Sequence, residues 1–454
     1  MIRTIFAAVF VLICSTSLAA QSTPQPTTPP AKVAVEELRQ TIETLVGFGT
    51  RHTLSAQDDP DRGIGAARNW AAHRFRAIGA ACSDCLQIVL SEDEVSGNRV
   101  PVPTRLVNVL AIQRGSERPE EVVIILAHID SRVSDVMDFT SDAPGANDDG
   151  SGVAAVIEAA RVLSHRRFPT TIVYAILSGE EQGLYGGRLL ADYAQQQNWT
   201  VKALLNNDII GGTRGSDGAV DDEHVRVFSE GARADSSDAS RALARREGGE
   251  NDSPSRNISR WIDRLADVQL LPLDVRQIWR ADRFGRGGDQ LPAQEAGIPA
   301  VRFSAAIEDY THQHQDLRTD QGIVYGDRAE FLDYPYLAQV TRLNIAALAG
   351  LARSPMPPAP VLEGAVSTNT TLRWANVPGA DHFIIYRRRT DERDWREPVE
   401  IRGTAIAEAE TYSHVLQGIR VDDWVFGISS VAADGSESPV ASAVPGGAFA
   451  PIGR

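Results

Sequence analysis

A set of ionisable side chains lies just beyond runs of apolar residues, where strands should end and loops begin. His128 and Asp130 follow the apolar run 122–127, and Asp148 precedes Gly150-Ser151-Gly152, which opens an amphipathic pattern. Glu180 and Glu181 follow the run 171–177, Asp208 follows 201–205, and His312 and His314 follow 298–303. Imidazoles and carboxylates without a thiolate are the donor set of zinc, and also of cobalt or manganese. Ligands drawn from several strands leave positions for water and substrate, as a catalytic site requires. Taken singly, each residue has an ordinary explanation: a structural histidine, a helix-capping loop, two exposed acids. Together they do not, because no core needs so many ionisable groups at one edge.

The elements that must position them alternate. Helical spacing runs over residues 33–47, 63–78, 153–163, 184–196, 261–266 and 334–351, and strand-like runs cover 107–113, 122–127, 171–177, 201–205 and 298–303. This pattern predicts an α/β fold, a mostly parallel central sheet with helices on both faces. Sites in such sheets form outside the carboxyl ends of the strands, where these residues would converge. Residues 213–257 are rich in Gly, Asp, Ser and Arg and read as a long surface excursion, with a strand-like VRVF at 225–228 inside it.

HID at 128–130, DDGSG at 148–152, EE at 180–181, NND at 206–208 and the loop carrying Tyr310 and His312 stand in order, each motif near a strand end. Over about residues 33–352 they resemble the di-zinc exopeptidases of metallopeptidase family twenty-eight. That group includes bacterial leucyl aminopeptidases, glutamate carboxypeptidases and glutaminyl cyclases. The resemblance implies two zinc ions, with His128 and Asp208 as terminal ligands of one, Glu181 and His312 of the other, and Asp148 bridging them. It also implies Glu180 as general base and Asp130 as the carboxylate that orients His128. Three departures stand out. In YTHQHQD either His312 or His314 could be the ligand; His312 is chosen because it stands four residues before Asp316, the family's usual spacing. Tyr310, two residues before that ligand, is a poor oxyanion donor, and GGDQ at 287–290 replaces a common S-D-H.

The activity so implied is that of a secreted zinc-dependent exopeptidase acting on peptides, foremost an aminopeptidase. A carboxypeptidase, a dipeptidase or another amidase would use the same site. Glutaminyl cyclase fits less well, because its relatives work with one metal, and the intact Glu180 argues against an inert binding protein.

Composition agrees. The chain has 454 residues, 43% of them hydrophobic, enough for more than one ordinary domain. A formal charge of −15 argues against nucleic acid as a partner. Residues 1–20 read as a cleaved export signal, predicting a secreted or periplasmic protein, and 21–32 as a flexible leader. The apolar part of the signal, about ten residues, is too short to span a bilayer, and no later segment is long and apolar enough. Cys82 and Cys85, the cysteines beyond the signal, form by default a structural disulfide outside the cytosol. His52, His165 and His382 fit no ligand pattern and default to surface or core roles. Sequons at Asn198, Asn251, Asn257 and Asn369 matter only if a eukaryote exports the chain. A Pro-rich linker at 353–360 leads to 361–454, whose short alternating strands predict a fibronectin type III-like β-sandwich with Trp374 in its core. Such a module would bind a surface, polymer or protein.

Overall fold

The computed structural model describes residues 32–269, 271–402 and 411–450. The expected export signal and all but the last residue of the expected leader lie outside the described residues. Strands β1 (Gln87–Gly97), β2 (Val100–Gln113), β3 (Arg118–His128), β4 (Thr170–Leu177), β5 (Thr200–Asn207), β6 (His224–Ser229), β7 (Asp274–Ile278) and β8 (Ala300–Ala305) form one sheet, ordered β1-β2-β4-β3-β5-β8-β6-β7. Its centre, β4-β3-β5-β8, is parallel, and β1 and β2 add antiparallel at one end. β4 buries every residue and β3 buries all from Val122 on, as strands covered on both faces must.

Helices α1 (Val35–Gly47), α2 (Gly63–Ala81), α3 (Gly150–Leu163) and α8 (Tyr334–Arg353) contribute buried residues to the larger apolar core; α4 (Tyr185–Gln196) and α7 (Gln290–Glu295) pack in the smaller core on the other face. The short helix α5 (Asp238–Glu247) and helix α6 (Pro254–Val268) lie between β6 and β7 in the chain. Cys82 and Cys85 are joined by a disulfide at the end of α2. Among the described residues, no helix is long and apolar enough to cross a membrane.

The expected surface excursion is largely structural. β6 pairs antiparallel with β8 and parallel with β7, and α6, capped by Ser253, is buried along much of its length. The sequence conceals this because many buried positions of α6 are Ser255, Arg256, Asn257, Ser259 and Arg260, which an apolar-periodicity reading counts as exposed.

After a small hairpin of β9 (Arg318–Asp320) and β10 (Ile323–Tyr325), the remaining strands form two antiparallel sheets. β11 (Val361–Glu363), β12 (Thr370–Ala375) and β15 (Thr411–Leu416) make one, and β14 (Arg396–Ile401), β13 (His382–Arg389), β16 (Trp424–Val431) and β17 (Ala441–Ser442) the other. Trp374 is buried between them against Phe383 and Tyr412. These sheets are seated on the rest of the protein through buried polar contacts. Arg388 reaches both Asp252 carboxylate oxygens at 2.6 and 2.7 Å, and Arg260 reaches the same carboxylate at 3.2 Å. Asn257 donates to Ser442 at 2.8 Å and accepts from Trp395 at 3.0 Å, which also closes its sequon.

Candidate metal centre

Each candidate side chain is delivered by a strand end or a helix start. β3 stops at His128, β4 runs into the turn Ser178–Glu181, β5 is followed by Asp208, and Asp148 and Asp149 lead into α3. Gly152 lets that helix start touch β5, since a Cβ there would stand 2.2 Å from the Asn207 carbonyl oxygen. Gly179, at φ +79°, makes the turn that carries Glu180 and Glu181.

Two groups of donors result, His128 with Glu180 and Asp208, and Asp148 with Glu181 and His314; within each, the ligand atoms lie within 4.8 Å of one another. Asp148 spans them. Its Oδ1 is 3.2 Å from Nε2 of His128, and its Oδ2 is 2.9 Å from Nε2 of His314. His314 also stands 2.8 Å from Oε1 of Glu181.

The structure brings His314, and not the expected His312, to Asp148 and Glu181. His312 lies flat on Phe331, ring centroids 3.8 Å apart, with Nδ1 3.4 Å from Asp309. His314, whose backbone is left-handed at φ 55°, stands in the cluster, and a spacing rule does not register such a backbone. Asp316, the reason for preferring His312, instead accepts from the backbone and hydroxyl of Ser134. Tyr310 is an exposed side chain.

Asp130 has a broader part than orienting His128. The imidazole Nδ1 stands 3.0 Å from the Asp130 carbonyl oxygen and 3.7 Å from its carboxylate. The carboxylate itself accepts from the backbone N–H groups of Gly179 (2.9 Å), Glu180 (3.3 Å) and Glu181 (3.0 Å). One buried acid therefore fixes the turn that presents both glutamates.

Other supporting residues escaped the sequence reading. Asp149 accepts from the backbone of His128, Gly152 and Ile209, tying the ends of β3 and β5 to α3. Asp327 accepts from the backbone of Asn147 and Asp148, and Arg302 pairs with Asp208 at 2.8 Å. Buried Arg51 donates to the carbonyls of Ile129, Pro144 and Gly145, pinning both ends of the loop between His128 and Asp148. Asp149 is legible in DDGSG as a helix cap; Asp327, Arg302 and Arg51 carry no local signal. In GGDQ, Asp289 accepts from Gly187 and Gln290 donates to Asp282, so both brace the wall. His52 is buried and touches Gln182, His382 is buried beside Asp381, and His165 is exposed.

The electrostatics suit a cation. Burial alone would lower His128, but Asp130 and Asp148 outweigh it and hold the imidazole well above its ordinary value. Burial pushes Glu180 well above the ordinary carboxylate range, with Glu181 and Asp208 adding repulsion against the pull of His128. Asp148 is held well below that range by His314 and His128 despite its burial. Four carboxylates and two imidazoles facing one another without thiolates are a donor set that suits zinc.

Residues 108–322 match the model of Peptidase family M28. A protein of Leptosphaeria maculans described as a probable zinc metalloprotease is 40% identical over 418 residues, covering 91% of this chain and 96% of its own. Among solved structures, glutaminyl cyclase from Fimbriiglobus ruber has a TM-score of 0.52 at 16% identity, covering 71% of this chain and 97% of that one. BSAP, a zinc aminopeptidase from Bacillus subtilis, has a TM-score of 0.51 at 14% identity, covering 72% and 96%. The likeness to these two is one of fold, and two activities share it.

Proposed function

From the premise that this chain belongs to peptidase family M28 and is a zinc metallopeptidase, we propose that it is an exported exopeptidase, foremost an aminopeptidase, using two zinc ions. The observation that carries this reading is Asp148, one oxygen 3.2 Å from His128 and the other 2.9 Å from His314, which links the two donor groups with Glu180 in the first of them. His128 and Asp208 would hold one ion, Glu181 and His314 the other, and Asp148 both. Zinc bound there supplies a Lewis acid for the scissile carbonyl and lowers the pKa of the attacking water.

The remaining work falls to the chain. Glu180, half-buried and raised in basicity by its surroundings, takes a proton from the water and returns it to the leaving amine. Asp130 holds Glu180 and Glu181 in place through their backbone, so base and ligand keep a fixed relation. Export rests on the signal-like residues 1–20. The three- and four-stranded C-terminal sheets are compatible with a fibronectin type III-like module, whose free face would meet a surface, polymer or protein.

The test is turnover of a peptide library with termini free or blocked, with metal content measured in parallel. Loss of cleavage on acetylating the amino terminus supports an aminopeptidase; loss on amidating only the carboxyl terminus overturns that in favour of a carboxypeptidase. Glu180→Gln should lower kcat by about 10²-fold or more while zinc content holds. Unchanged kcat would remove Glu180 from the chemistry.

A further inference from the structure

We propose that the active-site cavity selects peptides with a carboxylate near the cleaved bond, and that Arg99 and Arg286 bind it; this rests on the peptidase reading above. A cavity of about 430 Å³ opens beside Glu180 and is walled by four guanidiniums, from Arg99, Arg132, Arg283 and Arg286. They come from three separate segments: the turn between β1 and β2, the loop after β3, and the loop between β7 and α7. In a chain of formal charge −15, such a wall does not follow from overall composition.

The acids lining the same cavity are Asp148, Glu180, Glu181 and Asp208, which face the metal groups. Two of the arginines are committed. Arg132 pairs with Glu181 at 2.9 Å, and Arg283 with Asp282 at 3.1 Å and Glu308 at 3.2 Å. Arg286 uses one nitrogen, Nη1, for Glu308 at 2.8 Å and Gln313 at 3.2 Å, and it shares the Glu308 carboxylate with Arg226 and Arg283. Arg99 is exposed, donates to the Glu181 carbonyl at 3.0 Å, and makes no ion pair among the described residues.

Arg99 and Arg286 therefore keep donors and uncompensated charge at the mouth of the site. A guanidinium fork matches a carboxylate. The carboxylate has two chemical sources, the terminal α-carboxylate of a short peptide or the side chain of a Glu or Asp beside the cleaved bond.

The experiment uses full-length, zinc-loaded protein and three dipeptide substrates: Leu-Gln with a free carboxyl terminus, Leu-Gln-amide and Leu-Glu-amide. A kcat/KM about tenfold or more higher for free Leu-Gln than for its amide assigns the terminal carboxylate. The same advantage for Leu-Glu-amide over Leu-Gln-amide assigns the side chain. Either preference should sit in KM, weaken with added salt, and shrink towards unity in Arg99→Gln and Arg286→Gln. Equal kcat/KM for all three overturns the proposal while leaving the peptidase reading intact. If none of the three is cleaved, calorimetric binding of the same peptides to Glu180→Gln protein decides the carboxylate preference, and the exopeptidase reading falls only if the wider peptide library also goes uncleaved.

Discussion

Nε2 of His314 lies 2.9 Å from Oδ2 of Asp148, the oxygen turned away from His128. This pair lies within the second donor group, which Asp148 links to His128 of the first, and it distinguishes His314 from its near neighbour His312. If His314 is the terminal ligand proposed above, His314→Ala should cost about one zinc equivalent per chain and nearly all turnover. His312→Ala removes a ring stacked on Phe331 and should leave zinc content unchanged. Metal analysis of the two purified variants checks this, and a reversed pattern would return the ligand role to His312.

Asp130 offers a second test. Its carboxylate accepts three backbone N–H groups from the turn of Glu180 and Glu181. Asp130→Asn turns an amide NH2 towards one side of that row of donors. Zinc affinity should fall about 10–100-fold, with kcat falling too, while the melting temperature shifts little. Competition with a chelator measures the first effect. Loss of the fold instead would make Asp130 a structural residue.

The seat of the C-terminal sheets is a third. Asp252 is buried beneath Arg388 and Arg260. Asp252→Ala should destabilise the protein by about 3–5 kcal/mol, because two guanidiniums lose their counter-charge. Truncation after Ser354 should lower stability as well, since it strips α6 of its cover and leaves Asp252 without Arg388. Denaturant titration of both proteins is the check, and a truncated chain of full stability would show the seat to be dispensable.

Glu230 gives a pH dependence away from the metal groups. Burial raises its carboxyl from 4.5 to about 7, although it accepts from the Ala234 N–H. The folded state thus holds this proton more tightly than the unfolded chain. Its contribution is most favourable below about pH 4.5 and declines as pH rises towards 7. Glu230→Gln removes the ionisation and should gain roughly 1–3 kcal/mol over the parent at pH 8, with little difference at pH 4. Melting curves at the two pH values decide it; an equal effect at both would assign the change to packing.

Legibility in the sequence followed the range of the interactions. The centre of the sheet was readable because β3 and β4 are continuous apolar runs, a local property. Of α6 only the part at 261–266 was, since the buried Arg256, Asn257 and Arg260 of its first turns are satisfied by partners in β6, the 251–252 loop and the C-terminal sheets. β1 was missed for a related reason, being an edge strand with an exposed, polar face. Within the site, residues at strand ends were visible, whereas Arg51, Arg302 and Asp327 act through contacts distant in sequence.

By itself the sequence determined which strand ends meet. The strands had to be parallel and covered, so His128, Glu180, Glu181 and Asp208 had to emerge at one edge, with Asp148 opposite them at a helix start. What the tertiary structure alone decided is how they meet. The left-handed backbone of His314, the three N–H groups gathered by Asp130 and the seating of the C-terminal sheets depend on contacts between distant segments. Apolar periodicity records which way a strand faces, and carries no trace of the partner its last side chain will find.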